Sequence, residues 1–427
     1  MNGKNDKMAT RRGFLAGTAG LMAAAGSGFG AVAAEPTAPA NVMSGGGQDI
    51  HKIEPFWGRH QGGIATRQQT NSYFAAFDLA TDKRDDVASL LRVWSLAAER
   101  MTAGQTAAQL SDDTTVPASD SGDALSLPAA RLTLTFGFGQ GLFSKEGRDR
   151  YQLAERRPEA LGDLPKFPGD QLVEEHTGGD LSIQACADDP QVAFHAVRQL
   201  ARLADGTAQI RWAQTGFAAG PASKGTGRNL MGFKDGTINP TDFDRFVWVG
   251  NEGPDWMRGG SYLVTRRIRI ALEHWEKMTV AFQESVVGRH KYSGAPLGGK
   301  HEFDPLNLDA NDQDGNPINP ENSHVRLSAP EVNDGAQILR RAYSYNDGLN
   351  FTAERWPPWR QGNEYDAGLF FVSYQRDPRT GFIPIHQKLS RMDAMNQFTT
   401  HVGGGLFACP GGTAKGEFIG QRLFDRT

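Results

Sequence analysis

The chain is poor in cysteine. Cys186 and Cys409 are the only two among 427 residues, too few for a disulfide-stapled scaffold or a cysteine zinc cluster. Each lies in an apolar, strand-like run, "LSIQACA" and "GGGLFACPG". Both are therefore expected as buried thiols, with one disulfide the lesser alternative and a thiolate haem ligand less favoured still. An excess of charge of one sign is also lacking. A net charge of -4 and a pI near 6.2 leave no basic footprint for nucleic acid. The first 33 residues carry Lys4, Lys7, Arg11 and Arg12 against Asp6, a net of +3, so removing them takes the chain from -4 to -7. Such a charge disfavours anionic membranes as well as phosphate backbones. Beyond residue 34 no run approaches the ~18 apolar residues of a membrane helix, so no span is expected once the leader is cleaved. No His-Glu-x-x-His motif is present, and a zinc hydrolase is not indicated.

What the sequence does contain begins with "TRRGFLAGTAGLMAAAGSGFGAVAAEP". Arg11 and Arg12 precede Gly13, Phe14 and Leu15, and an uncharged run rich in Ala and Gly reaches Ala34. This is similar to a twin-arginine export signal, with small-residue cleavage sites after Ala33 or Ala34. The run is long enough to span a bilayer, but its glycines make it a poor transmembrane helix, which favours cleavage over anchoring. The expectation is a signal peptide over 1–34, a linker over 35–54, and a mature protein in the periplasm.

The remaining length suits two domains at about 100–200 residues each. "SYFAAFDLA" reads as a strand and "DDVASLLRVWSLAAERM" as a helix, with Asp at its start and apolar residues at helical spacing. Residues 103–129 read as a surface loop. "RLTLTFGFG" alternates like a strand, "LSIQACA" is a second, "DPQVAFHAVRQLARLA" a helix and "AQIRWAQTGFA" a strand. That order, β-α-β-β-α-β, is the ferredoxin-like pattern. It recurs in "GSYLVTRRIRI", the helix "WEKMTVAFQESVVGR", the strands "ILRRAYSY" and "DAGLFFVSYQ", and the helix "HQKLSRMDAMNQF". The predicted fold is α+β: two ferredoxin-like domains with antiparallel sheets, over 55–220 and 221–427.

The loop that opens the second half reads "NLMGFKDGTINP". Asp235 between Gly232 and Gly236 makes an ordinary Asp-Gly turn. The same residues could also hold a carboxylate on a backbone that a flat ligand approaches closely. Among the ten histidines, His195 and His274 fall in or beside predicted helices. His176, His290, His301, His386 and His401 have no partner at ligand-like spacing. His324, in "NPENSHVRLSAP", differs in that "ILRRAYSY" follows it closely, with Arg340 and Arg341 at the start of a strand. A haem peroxidase needs an imidazole on iron, an acid-base group facing the peroxide, and a cation for the charge that develops as the O–O bond breaks. His324, Asp235 and Arg340 supply those three residue types.

Four ordered segments strengthen that reading. "GFKDGTINP" resembles the Gly-x-x-Asp-Gly motif of the dye-decolorising peroxidases. "SHVRL" and "ILRRAYSY" resemble that family's proximal-histidine and distal-arginine segments, and "PFWGRHQGGI" its opening segment. The leader narrows the resemblance to the exported EfeB-like deferrochelatase/peroxidase branch, associated with bacterial ferrous iron uptake. The resemblance implies one haem b per chain in the C-terminal domain, with His324 as the proximal iron ligand and Asp235 and Arg340 as catalytic residues. It further implies haem contacts from Gly236, Thr237, Ile238, Ala329, Pro330 and Glu331. Arg340 is preferred to Arg341 by matching "LRR". A carboxylate behind His324 is expected, with Asp366 and Asp393 both open. The implied partners are hydrogen peroxide, an organic electron donor and components of a ferrous iron transport system. A homodimer is compatible with all of this, and release of iron from haem is the alternative function.

Two further features have a plainer reading. "ANDQDGNPINPE" nearly fits a calcium loop, but Ala310 stands where a carboxylate is needed, so a solvated loop is expected. Tyr343, Tyr345, Trp356 and Trp359 could relay electrons to the surface, but such residues more often serve packing.

Overall fold

The structure, a computed structural model, describes residues 49–219, 225–350 and 364–425. The leader, most of the linker, Trp356 and Trp359 lie outside those residues. The strands are β1 (Asn71–Leu79), β2 (Thr133–Phe138), β3 (Leu181–Ala187), β4 (Ala208–Phe217), β5 (Ser261–Ile270), β6 (Leu339–Arg340), β7 (Tyr343–Asn350), β8 (Glu364–Gln375) and β9 (Thr399–Cys409). The helices are α1 (Arg84–Thr102), α2 (Pro190–Leu203), α3 (Phe243–Phe246), α4 (Leu272–Trp275), α5 (Val280–Val287), α6 (His324–Ser328), α7 (Phe382–Met392) and α8 (Gln421–Phe424).

The pairing shows the duplication directly. β2-β3-β1-β4 form one antiparallel sheet and β9-β5-β8-β7 a second with the same relative order. The two meet at single residue pairs, Phe138 with Ala408 and Phe217 with Ser344. Eight strands thus close into a ring, which leaves no long unpaired edge. Inside it Phe74, Trp212, Phe370, Val372, Tyr374 and Phe407 share one apolar core. Alternation along β1 sends Phe74 and Ala76 into that core and Ala75 and Phe77 outward against the helices. Because both faces are covered, this strand shows no polar alternation.

The outer layers of the two halves differ. In the first half, α1 presents Val87, Leu90, Leu91, Trp94, Ala98 and Met101 to the sheet, an i, i+3, i+4 stripe. Trp94 is buried, and its indole N–H donates to the Leu200 carbonyl of α2 at 2.7 Å. Asp189 caps α2 by accepting from the amides of Gln191 and Val192 at 2.7 and 3.1 Å, with Pro190 in the first turn.

In the second half the corresponding crossover is short and broken. The single helix expected over "WEKMTVAFQESVVGR" is instead α4 and α5. Thr279 caps the second piece by accepting from the Phe282 amide at 3.3 Å, and Gly288 ends it with φ 88°. The helix expected over "HQKLSRMDAMNQF" likewise stops at Met392, because the Asp393 side chain accepts from the Met395 amide at 2.8 Å. Shorter cover on this outer face leaves a cavity where α1 and α2 close the other half. Residues 103–129 hold no helix or strand, as expected for a surface loop. Cys186 and Cys409 are buried free thiols.

Candidate functional site

β5 turns Arg266, Ile268 and Ile270 outward, β8 adds Leu369 and Phe371, and β9 adds Thr399 and His401. With α6, α7 and the loop around Asp235 these enclose a cavity of about 540 Å³, within the range of about 300–1,000 Å³ typical of ligand sites. Every site residue singled out in the sequence lines it: His324, Asp235 to Ile238, Ala329 to Glu331, and Arg340.

His324 opens α6. Its Nδ1 lies 2.6 Å from Asp393 Oδ2, and the Asp393 side chain is only 3% exposed. The two open candidates for this carboxylate are thereby separated: Asp366 instead accepts from Arg267 Nη2 at 3.0 Å. Asp393 serves twice, since its other oxygen caps the turn after α7. Burial by itself lowers the His324 pKa, but the Asp393 charge and hydrogen bond outweigh it and raise the value. With Nδ1 directed at Asp393, Nε2 is the ring nitrogen left to face the cavity. It has no hydrogen-bond partner among the described residues.

The Asp235 loop is a turn and a site wall at once. Gly232 and Gly236 adopt φ of 85° and 91°, left-handed values that favour glycine. Trp275 Nε1 donates to the Met231 carbonyl at 3.0 Å. Just before Asp235, Lys234 Nζ pairs with buried Glu302 at 2.6 Å, and just after it Thr237 Oγ1 donates to the same carboxylate at 3.3 Å. Burial opposes ionisation of Glu302, yet hydrogen bonds from Lys234 and Thr226 hold its pKa below the usual carboxylate value. The loop that carries Asp235 is therefore fixed at both ends.

Arg340 Nη1 lies 3.5 Å from Asp235 Oδ1, and Nη2 donates to the Ile238 carbonyl at 3.0 Å. β6 and β7 keep one register along β8, Leu339 opposite Tyr374 and Tyr343 opposite Phe370. Consecutive residues therefore face opposite sides. Arg341 points away, donating to the Thr66 carbonyl and, at 3.0 Å, to Gln69 Oε1. This alternation places Arg340, and not Arg341, beside Asp235.

Several residues of the site went unnoticed in the sequence. Asn239 accepts from the Arg340 amide and donates to its carbonyl, both at 3.0 Å, joining the Asp235 loop to the arginine strand. "DGTINP" contains this Asn, but nothing in the spacing says that it pairs with a strand about a hundred residues on. Arg289 is a second buried cation on the cavity wall, its pKa lowered by burial. His386 and His401, set aside for want of a nearby partner, meet in space with Asp170, their ligand atoms within 4.8 Å of one another. Burial, and the charge of Arg266, push His386 down to about 3; burial, His386 and Arg266 push His401 well below its ordinary value. Both rings are neutral. Tyr343 and Tyr345 are buried with unpartnered hydroxyls, which favours packing over a surface relay. The 310–321 loop is closed on itself, Asp312 Oδ1 accepting from the amides of Asp314 and Asn316 at 2.9 and 2.8 Å.

These features describe a largely apolar cavity, with an imidazole and a carboxylate–guanidinium pair on its wall, suited to a flat, amphiphilic ligand. Residues 61–218 match the family model described as Dyp-type peroxidase, N-terminal, and residues 226–414 that described as Dyp-type peroxidase, C-terminal. The chain belongs to the Dyp-type, or dye-decolorising, peroxidase family, whose cofactor is haem b. It is 37% identical over 447 residues to the dye-decolorizing peroxidase of Thermobifida fusca, covering 98% of each chain. It is 32% identical over 385 residues to the deferrochelatase of Escherichia coli K12, covering 87% of each. Among solved structures, ferric DtpA from Streptomyces lividans superposes with a TM-score of 0.80 at 41% identity, covering 91% of this chain and 100% of that one.

The residues present fit haem. The walls are largely apolar along β5 and β8, the His324 imidazole offers an Nε2 without a hydrogen-bond partner among the described residues, and a carboxylate–guanidinium pair faces the same space.

Proposed function

We propose that His324 is the protein's ligand to haem iron, that Asp235 is the acid-base group and that Arg340 stabilises charge in hydrogen peroxide reduction. The observation that carries this reading is the convergence of His324, tied to Asp393, and the Asp235–Arg340 pair on one cavity. Haem, when bound, supplies the redox centre at which the O–O bond is broken. Asp235 accepts a proton from the peroxide oxygen that approaches and returns it to the oxygen that departs as water. The Arg340 guanidinium, held by Ile238 and by Asn239 through its backbone, faces the negative charge that develops on that oxygen. Two electrons and two protons per peroxide yield two waters, the electrons coming from an organic donor. Gly236, Thr237, Ile238, Ala329, Pro330 and Glu331, which line the cavity, would help hold the haem. The purified protein is expected to show a Soret band and to oxidise an anthraquinone dye only with peroxide. Absence of both overturns the reading.

Asp393 is expected to act through His324. Asp393→Asn keeps the volume and the cap to Met395 but removes the charge. Losing such a partner commonly weakens metal affinity or activity by about 10–100-fold. The readouts are haem titration of the apoprotein and the iron reduction potential, which rises as the imidazole donates less. An unchanged potential would show that the Asp393 bond is only structural.

A second reading, release of iron from haem with the porphyrin left intact, is favoured by the similarity to the deferrochelatases of Escherichia coli and Yersinia pestis, the latter 34% identical. Formation of metal-free porphyrin, followed by its fluorescence with and without peroxide, separates the two activities. On this reading the chain works beside components of a ferrous iron transport system. The proposed organisation is a signal peptide over 1–34, a linker over 35–54, and domains over 55–220 and 221–427, in the periplasm. Arg11→Lys/Arg12→Lys is expected to leave the protein in the cytoplasm, measured by fractionation; normal export of that variant refutes the assignment.

A further inference from the structure

We propose that Arg266, His386 and His401 form a seat for one haem propionate, a carboxylate site at the far end of the cavity wall. The inference rests on the haem reading above and adds residues that no motif marks.

Arg266 shares the outward face of β5 with Ile268 and Ile270, and all three line the cavity. It is 2% exposed. Its Nη2 donates to Asp170, and its Nε donates to His401 Nδ1 at 3.1 Å. Its Nη1 has no hydrogen-bond partner among the described residues. Because His401 Nδ1 accepts from the guanidinium, the neutral His401 ring carries its proton on Nε2 and can donate there. The His386 ring lies with its centroid 4.7 Å from that of His401, between Phe382 and Phe167. It is 6% exposed, and its Nε2 is buried without a hydrogen-bond partner among the described residues. An orphaned buried nitrogen of this kind calls for a group that the protein itself does not supply.

The group is an anion and not a cation. Asp170, His386 and His401 are spaced as ligands of a divalent ion would be. However, Arg266 already donates to two of the three. A metal ion would have to sit against the fixed positive charge of that guanidinium. Asp170 is not among the residues that line the cavity, whereas Arg266, His386 and His401 all are. A ligand entering from the cavity therefore meets a guanidinium and two imidazoles, with the carboxylate off the wall. A carboxylate there gains charge-assisted hydrogen bonds from Arg266 and N–H donors from the rings. The rest of the wall, Ile268, Ile270, Leu369 and Phe371, is apolar. A flat ligand with an apolar body and an acidic edge matches that division, and haem b has this form.

The test compares haem b with its dimethyl ester, which keeps the ring and iron but loses both carboxylates. Apoprotein is titrated with each and followed by the Soret band, in wild type, Arg266→Gln, His386→Phe and Asp170→Asn/Arg266→Gln. The double variant avoids stranding the Asp170 charge, and His386→Phe preserves packing against Phe167. Wild type should prefer the free acid by about 10–100-fold, the worth of a hydrogen bond to a charged group. In the Arg266 variants that ratio should fall by about 10-fold with ester affinity kept, and in His386→Phe it should fall by less. Retention of the wild-type ratio in all three variants overturns the seat while leaving the haem reading intact. Failure of wild type to bind either ligand overturns the haem reading itself. Stoichiometric Zn²⁺ or Mn²⁺ binding to the apoprotein, lost in His386→Phe, would also overturn the seat by showing a cation site.

Discussion

His324→Ala is expected to remain folded and to bind almost no haem. α6 is five residues long, and His324 is 31% exposed towards the cavity, so its removal opens no void in the ring core. What disappears is the proposed iron ligand, the imidazole that Asp393 orients. The loss should be read by titrating haem into the apoprotein, with circular dichroism confirming the fold. Asp393 is left buried without its imidazole, a change that destabilises an ionised group, so a modest fall in melting temperature is expected as well. Free imidazole, which fits the space vacated by the side chain, should restore part of the Soret band. Full haem occupancy with an unchanged ligand spectrum would mean that another side chain holds the iron, and His386 would be the first to test.

Asp235→Asn and Arg340→Leu should keep haem and lose rate. Neither residue is placed to hold iron, and both belong to the wall that faces the incoming peroxide. Losing the guanidinium removes an electrostatic group of a kind worth about 10²–10³ in rate. Asp235→Asn keeps the shape of the turn but cannot accept a proton, and acid-base catalysis is worth about 10²–10⁴. Because Asp235 and Arg340 stand 3.5 Å apart, the effects should be less than additive in the double variant. Stopped-flow mixing with hydrogen peroxide measures the reaction through the Soret change. If both single variants react as fast as wild type, "GFKDGTINP" is a turn and nothing more.

Local sequence carried much of this site and topology carried the rest. The order β-α-β-β-α-β was readable twice because apolar periodicity is local, and the structure has both copies. The interruptions were not readable: Thr279 and Asp393 end or restart helices through single side-chain hydrogen bonds inside otherwise helical patterns. Asp235, His324 and Arg340 sit in recognisable segments. The choice between Asp366 and Asp393 depends on where α7 stops, and that between Arg340 and Arg341 on the register of β6 against β8. The Arg266 cluster was the least visible part. Its members lie 96 and 135 residues from Arg266 along the chain, and only strand pairing and the loop from the first half bring them together.

The ring of eight strands has a core of its own, and the haem cavity lies outside it. Cofactor loading is therefore an event of the outer layer. α6, α7 and the Asp235 loop can loosen and reset while the strand ladders stay intact, so amide protons of β1 and β5 should exchange slowly with or without haem, and those of α6 and α7 should quicken in its absence. On the twin-arginine route proposed above this sets an order of assembly: the scaffold completes first, and the cofactor is added to a finished frame before export.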